Sequence, residues 1–242
     1  MKKVFEINKD FNETITEDSD LFLNITNCNN IKYSIKDSNC NVFVFINANN
    51  SINEQIEIIN SNVNMYYIEL NNNDFNFNSK ISVYKNSDVN INTILLASFK
   101  KKLVFDITNV EDHSSCEIHN NVLGLDKADY TLEVIGNILK KSPYSKCIQK
   151  THSITIGSPD KMHILPILNI DNENVTAAHS LSSGTIDENI MYYLNARGIS
   201  KDKAIKLIID SYLSLPEEVT NIYKFADLET IYKRKVESLC LI

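Results

Sequence analysis

The sequence predicts a mainly β protein, in which a stack of short strands reaching to about residue 184 is followed by helices. Short strand-like runs recur roughly every 10–12 residues, separated by clusters of turn-forming residues. After residue 180 the apolar side chains change to a helical period. Asparagine is concentrated in the first half of the chain, with 26 of 33 in residues 1–121. Strands this short and regular occur in sandwiches, barrels and solenoids.

Two sequence patterns predict the individual strands. Residues 31–36 and 75–78 alternate apolar and polar side chains, as half-buried strands do, and residues 89–92 repeat this alternation. Residues 42–46 are instead continuously apolar over the length of one strand. The β region continues through four further strand-like runs, at 103–107, 130–136, 153–157 and 164–170.

Two features favour a parallel β-helix among these folds. Asparagine suits turns because it tolerates left-handed backbone geometry, and stacked turns can align asparagine side chains into hydrogen-bonded ladders. The dipeptides Asn-Gly and Asp-Gly, which favour tight hairpins, are absent from the sequence. An AT-rich genome would also raise the asparagine content, so composition alone leaves the architecture open.

Capping signals predict the helices. Thr185 and Glu188 have capping-box spacing, which predicts a helix with Thr185 as its N-cap and Gly198 just past its end. Ser200 is placed to cap a second helix, whose apolar residues are Ala204, Ile205, Ile208, Ile209 and Tyr212. A second capping box, at residues 214–217, predicts a third helix in the C-terminal segment.

Composition argues against several classes of function. The net charge is −7 without an extended basic run, so we expect no nucleic-acid partner. The short basic cluster at residues 100–102 is interpreted as a solvated turn. We expect neither a signal peptide nor a membrane span. The cysteines indicate reduced thiols in the cytoplasm rather than a disulfide framework, because they are scattered and odd in number: Cys28, Cys40, Cys116, Cys147 and Cys240.

The most specific pattern lies near the C-terminus. His179 follows a strand-like run, Gly184 comes five residues later, and Asp187 opens a helix that closes with Arg197-Gly198-Ile199. This string resembles the C-terminal signature of the SufB/SufD family of iron–sulfur cluster assembly proteins, in residue types and in spacing. The resemblance covers roughly residues 103–215.

The resemblance implies a right-handed parallel β-helix over residues 1–184 and a C-terminal helical domain over residues 185–242. Family members are scaffolds that dock the ABC-type ATPase SufC through that helical domain. We therefore expect no enzymatic activity, and the sequence has no glycine-rich phosphate loop of its own. Typical members are longer and pair as a SufB–SufD heterodimer. A homodimer, or a heterodimer with a SufB/SufD paralogue, is the corresponding expectation for this short chain.

The resemblance also implies a site. His179 stands where family members carry a histidine implicated in assembly of a transient iron–sulfur cluster, and imidazole is a suitable iron ligand. A histidine that only orders the corner between strand and helix is the alternative. SufB members carry a cysteine and an acidic residue where this chain has Thr151 and Ser180, so the chain is more SufD-like there. Cys147 could substitute as a ligand, although buried cysteines are more often inert.

Other histidines are weaker candidates. His113, Cys116 and His119 could be metal ligands, but in a strand the two histidines share a face and Cys116 points away from it. Their spacing matches no standard zinc site. His113 is similar in position to a histidine that the family has near this strand. We expect His152 and His163 on the surface.

Four residues of the first predicted helix are interpreted as structural. Asp187 and Arg197 suit the two ends of the helix dipole, and Tyr192 and Tyr193 are expected to pack the helix onto the β body. Three other functions stay open from sequence. They are an accessory SufD-like subunit that never holds a cluster, a β-helix polysaccharide-active enzyme, and a purely structural solenoid.

Overall fold

The computed structural model describes residues 1–71, 73–125, 128–157 and 161–212, which form fifteen strands and two helices. The odd-numbered strands make sheet A: β1 (Lys2–Ile7), β3 (Ser19–Ile25), β5 (Asn39–Ile46), β7 (Asn62–Glu69), β9 (Asp88–Ala97), β11 (Ser115–Gly124), β13 (Lys146–Thr155) and β15 (Thr176–Thr185). The even-numbered strands make sheet B: β2 (Phe11–Ile15), β4 (Asn30–Lys36), β6 (Ile52–Ile59), β8 (Phe75–Val83), β10 (Lys100–Asn109), β12 (Asp129–Ile138) and β14 (Lys161–Ile170).

Strand pairing shows a parallel β-helix. Neighbouring strands are parallel throughout both sheets, and the strand order in each sheet follows the order along the chain. The chain therefore alternates between the two sheets, and two strands complete one coil. This confirms the predicted fold class. Among the described residues, no strand pairs with the outer edge of β14 or β15, so the final coil is open.

Apolar side chains fill the space between the sheets. Phe105 is fully buried, and its ring meets those of Tyr67 and Phe77 edge-on at centroid distances of 5.3 and 5.7 Å. Edge-to-face packing of this kind is favourable beyond the area that it buries. Register aligns one interior position of sheet A into a column of Leu21, Val42, Met65, Ile91 and Ile118.

Asparagine ladders join the coils, and on the outer faces they run within the strands rather than at the turns, where they were predicted. On sheet A the Nδ2 of Asn41 donates to Oδ1 of Asp20 at 2.8 Å, and Nδ2 of Asn64 donates to Oδ1 of Asn41 at 3.1 Å. Sheet B carries a matching ladder, with both rungs at 2.8 Å, through Asp106, Asn137 and Asn169. Both ladders begin on an aspartate, which only accepts, so each asparagine donates to the preceding coil.

One corner of the β-helix repeats in five coils and was not predicted. In each coil a residue with positive φ precedes a buried serine: Asp37-Ser38, Asn60-Ser61, Asn86-Ser87, His113-Ser114 and Tyr144-Ser145. The serines stack, and Oγ of Ser61 accepts from the backbone N–H of Ser38 at 3.2 Å. The separation of stacked serines is 23 residues at Ser38 and 31 at Ser114, and this drift hides the repeat in the sequence.

The helices are α1 (Glu188–Ala196) and α2 (Lys201–Tyr212). The prediction that Thr185 is the N-cap is wrong, because Thr185 still pairs with Thr155 in sheet A. Asp187 is the N-cap, and its side chain accepts from the backbone N–H of Asn189 at 2.8 Å. Gly198 ends α1 as predicted, with φ +82°. The predicted third helix lies outside the described residues.

Helix α2 packs against the outer face of sheet A. Ala204 and Ile209 are buried, and the other three predicted apolar positions, Ile205, Ile208 and Tyr212, pack on the same apolar cluster. That cluster includes Leu123 of β11 and Ile154 of β13. Neither described helix is long and apolar enough to cross a membrane.

The interpretation of residues 100–102 as a solvated turn is wrong. These residues begin β10, and Lys101 is an interior residue with a fully buried side chain. Its ammonium lies 3.0 Å from the buried carboxylate of Glu69 and donates to the carbonyl oxygens of Asn71 and Leu96. The charge is tolerated there because the partner carboxylate and these carbonyls replace water.

Candidate functional site

His179 lies on the last strand of sheet A. It is the register partner of Gln149, whose side chain is buried inside the stack. His179 therefore continues an interior column of side chains, but it is exposed because no described coil lies beyond it. A histidine at this position is accessible to a ligand or to another protein.

The floor beneath His179 is polar. Gln149 is 1% exposed, and its Nε2 donates to the carbonyl oxygen of Ile167 across the interior at 3.0 Å. Gly136 allows this packing, since a Cβ there would lie 2.8 Å from Nε2 of Gln149. Oε1 of Gln149 and Oγ of Ser153 are buried without a hydrogen-bond partner. The interior thus loses its apolar character where the stack ends.

Cys147 lies in the same strand as Gln149 but in a different environment. Its side chain is 1% exposed, and its register partners are Cys116 and Ala177. Burial raises the pKa of the Cys147 thiol to about 12, so the thiol is protonated at neutral pH. The thiolate form, which binds metals, is therefore strongly disfavoured in this conformation.

Thr151 and Ser180 occupy opposite faces of sheet A. Thr151 is 5% exposed on the interior side, and its Oγ1 accepts from Nδ2 of Asn120 at 3.1 Å. Ser180 is exposed and is the register partner of Lys150, which also lies on the outer face. The two positions at which SufB members carry a thiol and a carboxylate therefore hold two hydroxyl groups that do not meet.

The trio of His113, Cys116 and His119 is not brought together. The assumption that His113 lies in the strand is wrong, because it occupies the corner before β11 with φ +53°. It lies 2.9 Å from Asp112, and its ring contacts that of Tyr144. Cys116 faces the interior and His119 faces outward. Across the described ranges, no three His, Cys, Asp or Glu side chains are grouped to hold a metal ion.

The structure places His152 and His163 on the surface, as predicted. Nε2 of His152 lies 2.8 Å from the hydroxyl of Tyr212 in α2, and the two rings are in contact. This hydrogen bond joins the helices directly to β13.

The first helix exposes its aromatic residues. The prediction that Tyr192 and Tyr193 pack onto the β body is wrong, because they are 77% and 56% exposed. The Arg197 guanidinium instead lies over the Tyr193 ring, 5.0 Å from its centroid. Ile190 and Leu207 add further exposed apolar surface to the two helices.

A second buried polar cluster lies deep in the stack. The Glu54 carboxylate accepts from the hydroxyl of Tyr67 at 2.7 Å and from that of Ser79 at 2.6 Å, and the Tyr33 hydroxyl approaches at 3.4 Å. Burial raises the pKa of Glu54 to about 7, although these three donors oppose the shift. The sequence carried a signal for this residue, since Glu54 alternates in phase with the buried Ile52 and Ile56.

Together, fold and site define a parallel β-helix with an open, histidine-bearing end that leads into helices. A family described as "SUF system FeS cluster assembly, SufBD core domain" matches residues 33–212. The chain belongs to this SufB/SufD family. It is also 33% identical over 89 residues to the iron–sulfur cluster assembly protein SufD of Bacillus subtilis (strain 168), a stretch that covers 37% of this chain and 20% of that relative.

Proposed function

We propose that this protein is a scaffold subunit of a SUF-type iron–sulfur cluster assembly complex and has no catalytic activity of its own. The family match over residues 33–212 carries the proposal, because it includes the open end of the stack and both described helices. The buried free thiols of Cys28, Cys40, Cys116 and Cys147 suit a reducing compartment such as the cytoplasm.

We propose that the helical segment, residues 185–242, docks a SufC-type ABC ATPase. Supporting this, α1 and α2 present apolar side chains that are at least half exposed, namely Ile190, Tyr192, Tyr193 and Leu207. Exposed aromatic residues of this kind often anchor protein–protein interfaces.

Co-purification with the ATPase tests the docking surface. Tyr192→Ser should leave the fold intact, because the side chain is 77% exposed, and should reduce ATPase capture at least tenfold. Phe99→Ser is the matched control, since Phe99 is 52% exposed at a corner of the β-helix. A chain ending at Gly184 should capture no ATPase. Unchanged capture by Tyr192→Ser and by the shortened chain would refute the docking proposal.

We propose His179 as the residue that takes part in cluster assembly, with the iron–sulfur cluster as transient cargo. Its exposure beside a polar interior supports this role, whereas the buried thiol of Cys147 makes Cys147 the weaker candidate. Anaerobic reconstitution should lose cluster yield in His179→Ala and keep it in Cys147→Ala. The surface variant His163→Ala controls for loss of any exposed imidazole.

A second candidate is an accessory, SufD-like subunit that docks the ATPase without holding a cluster. Thr151 and Ser180 favour it, because neither hydroxyl replaces a thiolate or carboxylate as an iron ligand. Capture of the ATPase together with a cluster yield that His179→Ala does not change would select this candidate.

We further propose that the open coil pairs with a second copy of the chain or with a SufB/SufD paralogue. No described strand pairs with the outer edges of β14 and β15, and such an edge is a template for strand addition. Four apolar side chains on these strands are exposed: Leu165, Ile167, Ile170 and Leu181. Light scattering of the chain alone and with the ATPase tests this. Leu181→Asp should reduce self-association, Phe99→Asp should not, and a wild-type chain that stays monomeric in both conditions would exclude the homodimer.

A further inference from the structure

The outer face of sheet A changes character along the stack. In the early coils its central row is aromatic, and the rings of Phe43 and Tyr66 stack at 5.0 Å. The same row continues through Asn92 of β9 and ends in His119, Lys150 and Ser180. The parallel row beside it changes from Phe45, Ile68 and Ile94 to Asn121, His152 and Ser182. Both rows thus become polar over the last three strands.

These polar rows line a groove of about 260 Å³. The described residues that line it come from β11, β13 and β15: His119, Asn120, Asn121, Lys150, Thr151, His152, Ser180, Leu181 and Ser182. Tyr212 of α2 stands at its edge through the contact with His152. The volume is below the roughly 300–1,000 Å³ of sites for drug-sized ligands, so the groove suits a smaller group.

The groove is positive in a chain of net charge −7. Lys150 is exposed and makes no ion pair with any described residue, whereas Lys146 beside it is paired with Glu117. Among the described residues that line the groove, none is a carboxylate. Glu117 borders the groove, with its Oε2 3.5 Å from Nε2 of His119, and Lys146, the main cause, together with Lys150 holds the pKa of that carboxyl below its usual value.

Several polar groups of the groove can donate hydrogen bonds. Ser180 and Ser182 offer hydroxyls, and Asn121 offers an amide. When the Tyr212 hydroxyl donates to Nε2 of His152, the neutral ring carries its proton on Nδ1, which is then a donor. A lysine with several hydroxyl and N–H donors matches an anion that has several acceptor oxygens.

The strands under the groove are fixed in position. On the interior side, Oγ1 of Thr93 donates to Oδ1 of Asn120 at 2.9 Å, and Nδ2 of Asn120 donates to Oγ1 of Thr151 at 3.1 Å. These buried bonds join β9, β11 and β13 directly beneath the outward donors. Such preorganisation lowers the entropy that binding would otherwise lose.

We propose that this groove binds a small phosphate-bearing anion, held by Lys150 together with Ser180, Ser182 and His152. Free phosphate and a phosphate monoester present the same chemistry to it. The bound anion lies where α2 meets β13, next to the hydrogen bond between His152 and Tyr212. The proposal does not depend on ATPase docking or on cluster assembly, because the residues that hold the anion all belong to this chain.

Titration of the full chain with inorganic phosphate and with glycerol phosphate, followed by the NMR signals of His152 and His119, tests the proposal. Lys150→Met should weaken binding at least tenfold, as expected for loss of one charge-assisted contact. Lys80→Met removes the same charge from an exposed position on sheet B and should change nothing. Ser180→Ala with Ser182→Ala should weaken binding without altering its salt dependence.

Stronger binding of one of the two compounds would identify free phosphate or a monoester as the ligand. Equal weakening by Lys150→Met and Lys80→Met would show only nonspecific attraction and would overturn the site. So would the absence of any shift with both compounds at tens of millimolar. Neither result would affect the ATPase capture assay, so failure of the two proposals can be told apart.

Discussion

The middle coils and the last coil of this β-helix differ in how completely their side chains are buried and their strand edges are paired. In the middle, rings such as Phe105 are fully buried and even the charge of Lys101 has a buried partner. In the last coil no described strand pairs with the outer edges of β14 and β15, and Leu181 is 44% exposed. The packed repeats stabilise a solenoid. Functional residues can therefore lie at its end, where they do not disturb that packing.

The sharpest test of this contrast compares large-to-small substitutions in the two regions. Phe105→Ala should destabilise the protein by about 3–5 kcal/mol, because it leaves a cavity among rings that cannot collapse. Leu181→Ala should change stability by no more than about 0.5 kcal/mol in the isolated chain. Urea denaturation measures both. A Leu181→Ala loss as large as that of Phe105→Ala would mean that the last coil is packed in solution, as dimerisation would cause.

The buried ion pair gives a second test in the middle coils. Lys101→Met should cost about 3–5 kcal/mol, because it leaves the Glu69 carboxylate buried without its partner. The double variant Lys101→Met with Glu69→Leu should recover most of that loss in the same assay. Lys102→Met is the control, since Lys102 forms an exposed pair with Glu133. A double variant no more stable than Lys101→Met would show that the ion pair also fixes the local conformation of the chain.

Glu54 makes the middle coils sensitive to pH. Its folded-state pKa of about 7 lies above the ordinary value of 4.5, so the folded protein holds a proton that the unfolded chain has released. The contribution of Glu54 to stability should therefore be largest below pH 4.5, fall as the pH rises to about 7, and stay level above that, a total of up to about 3 kcal/mol.

Glu54→Gln should remove this pH dependence, because the amide mimics the protonated acid and its Nε2 can donate to one of the hydroxyls. Glu13→Gln, at an exposed position, should leave the pH profile unchanged. Free energies of unfolding measured from pH 5 to 8 decide the matter. Identical slopes for wild type and Glu54→Gln would show that the carboxyl group does not carry the effect.

The sequence predicted the repeated architecture well and the buried polar residues poorly. Alternation within strands and the glycine after α1 are local signals, and the structure bears them out. Lys101 was assigned to solvent because its neighbours are lysines, although it alternates in phase with the buried Leu103 and Phe105. The exposure of Tyr192 was missed because the orientation of a helix against the β body decides which of its faces is buried. The periodicity of apolar residues in one sequence does not determine that orientation.

The candidate site shows the same limit. His179 was found through a motif, but motif spacing cannot show that its floor is built by Gln149, one coil earlier in the stack. The groove around Lys150 was missed for a related reason, since its residues come from three strands separated by whole coils. The strand register of sheet A aligns these residues into two rows on its outer face, and this register is not visible in the sequence.

The smallest change in stability is expected for substitutions in the outer asparagine ladders, in contrast to those in the interior. Asn137→Ala removes two rungs, one to Asp106 and one from Asn169, and should cost about 1 kcal/mol because both rungs are partly solvated. Asn137→Asp should cost more, since it replaces a donor with a second carboxylate facing Asp106. High salt should reduce the difference in stability between the two variants, because it screens that repulsion. Equal stabilities for Asn137→Ala and Asn137→Asp at low salt would mean that the ladder is a consequence of stacking rather than a contributor to it.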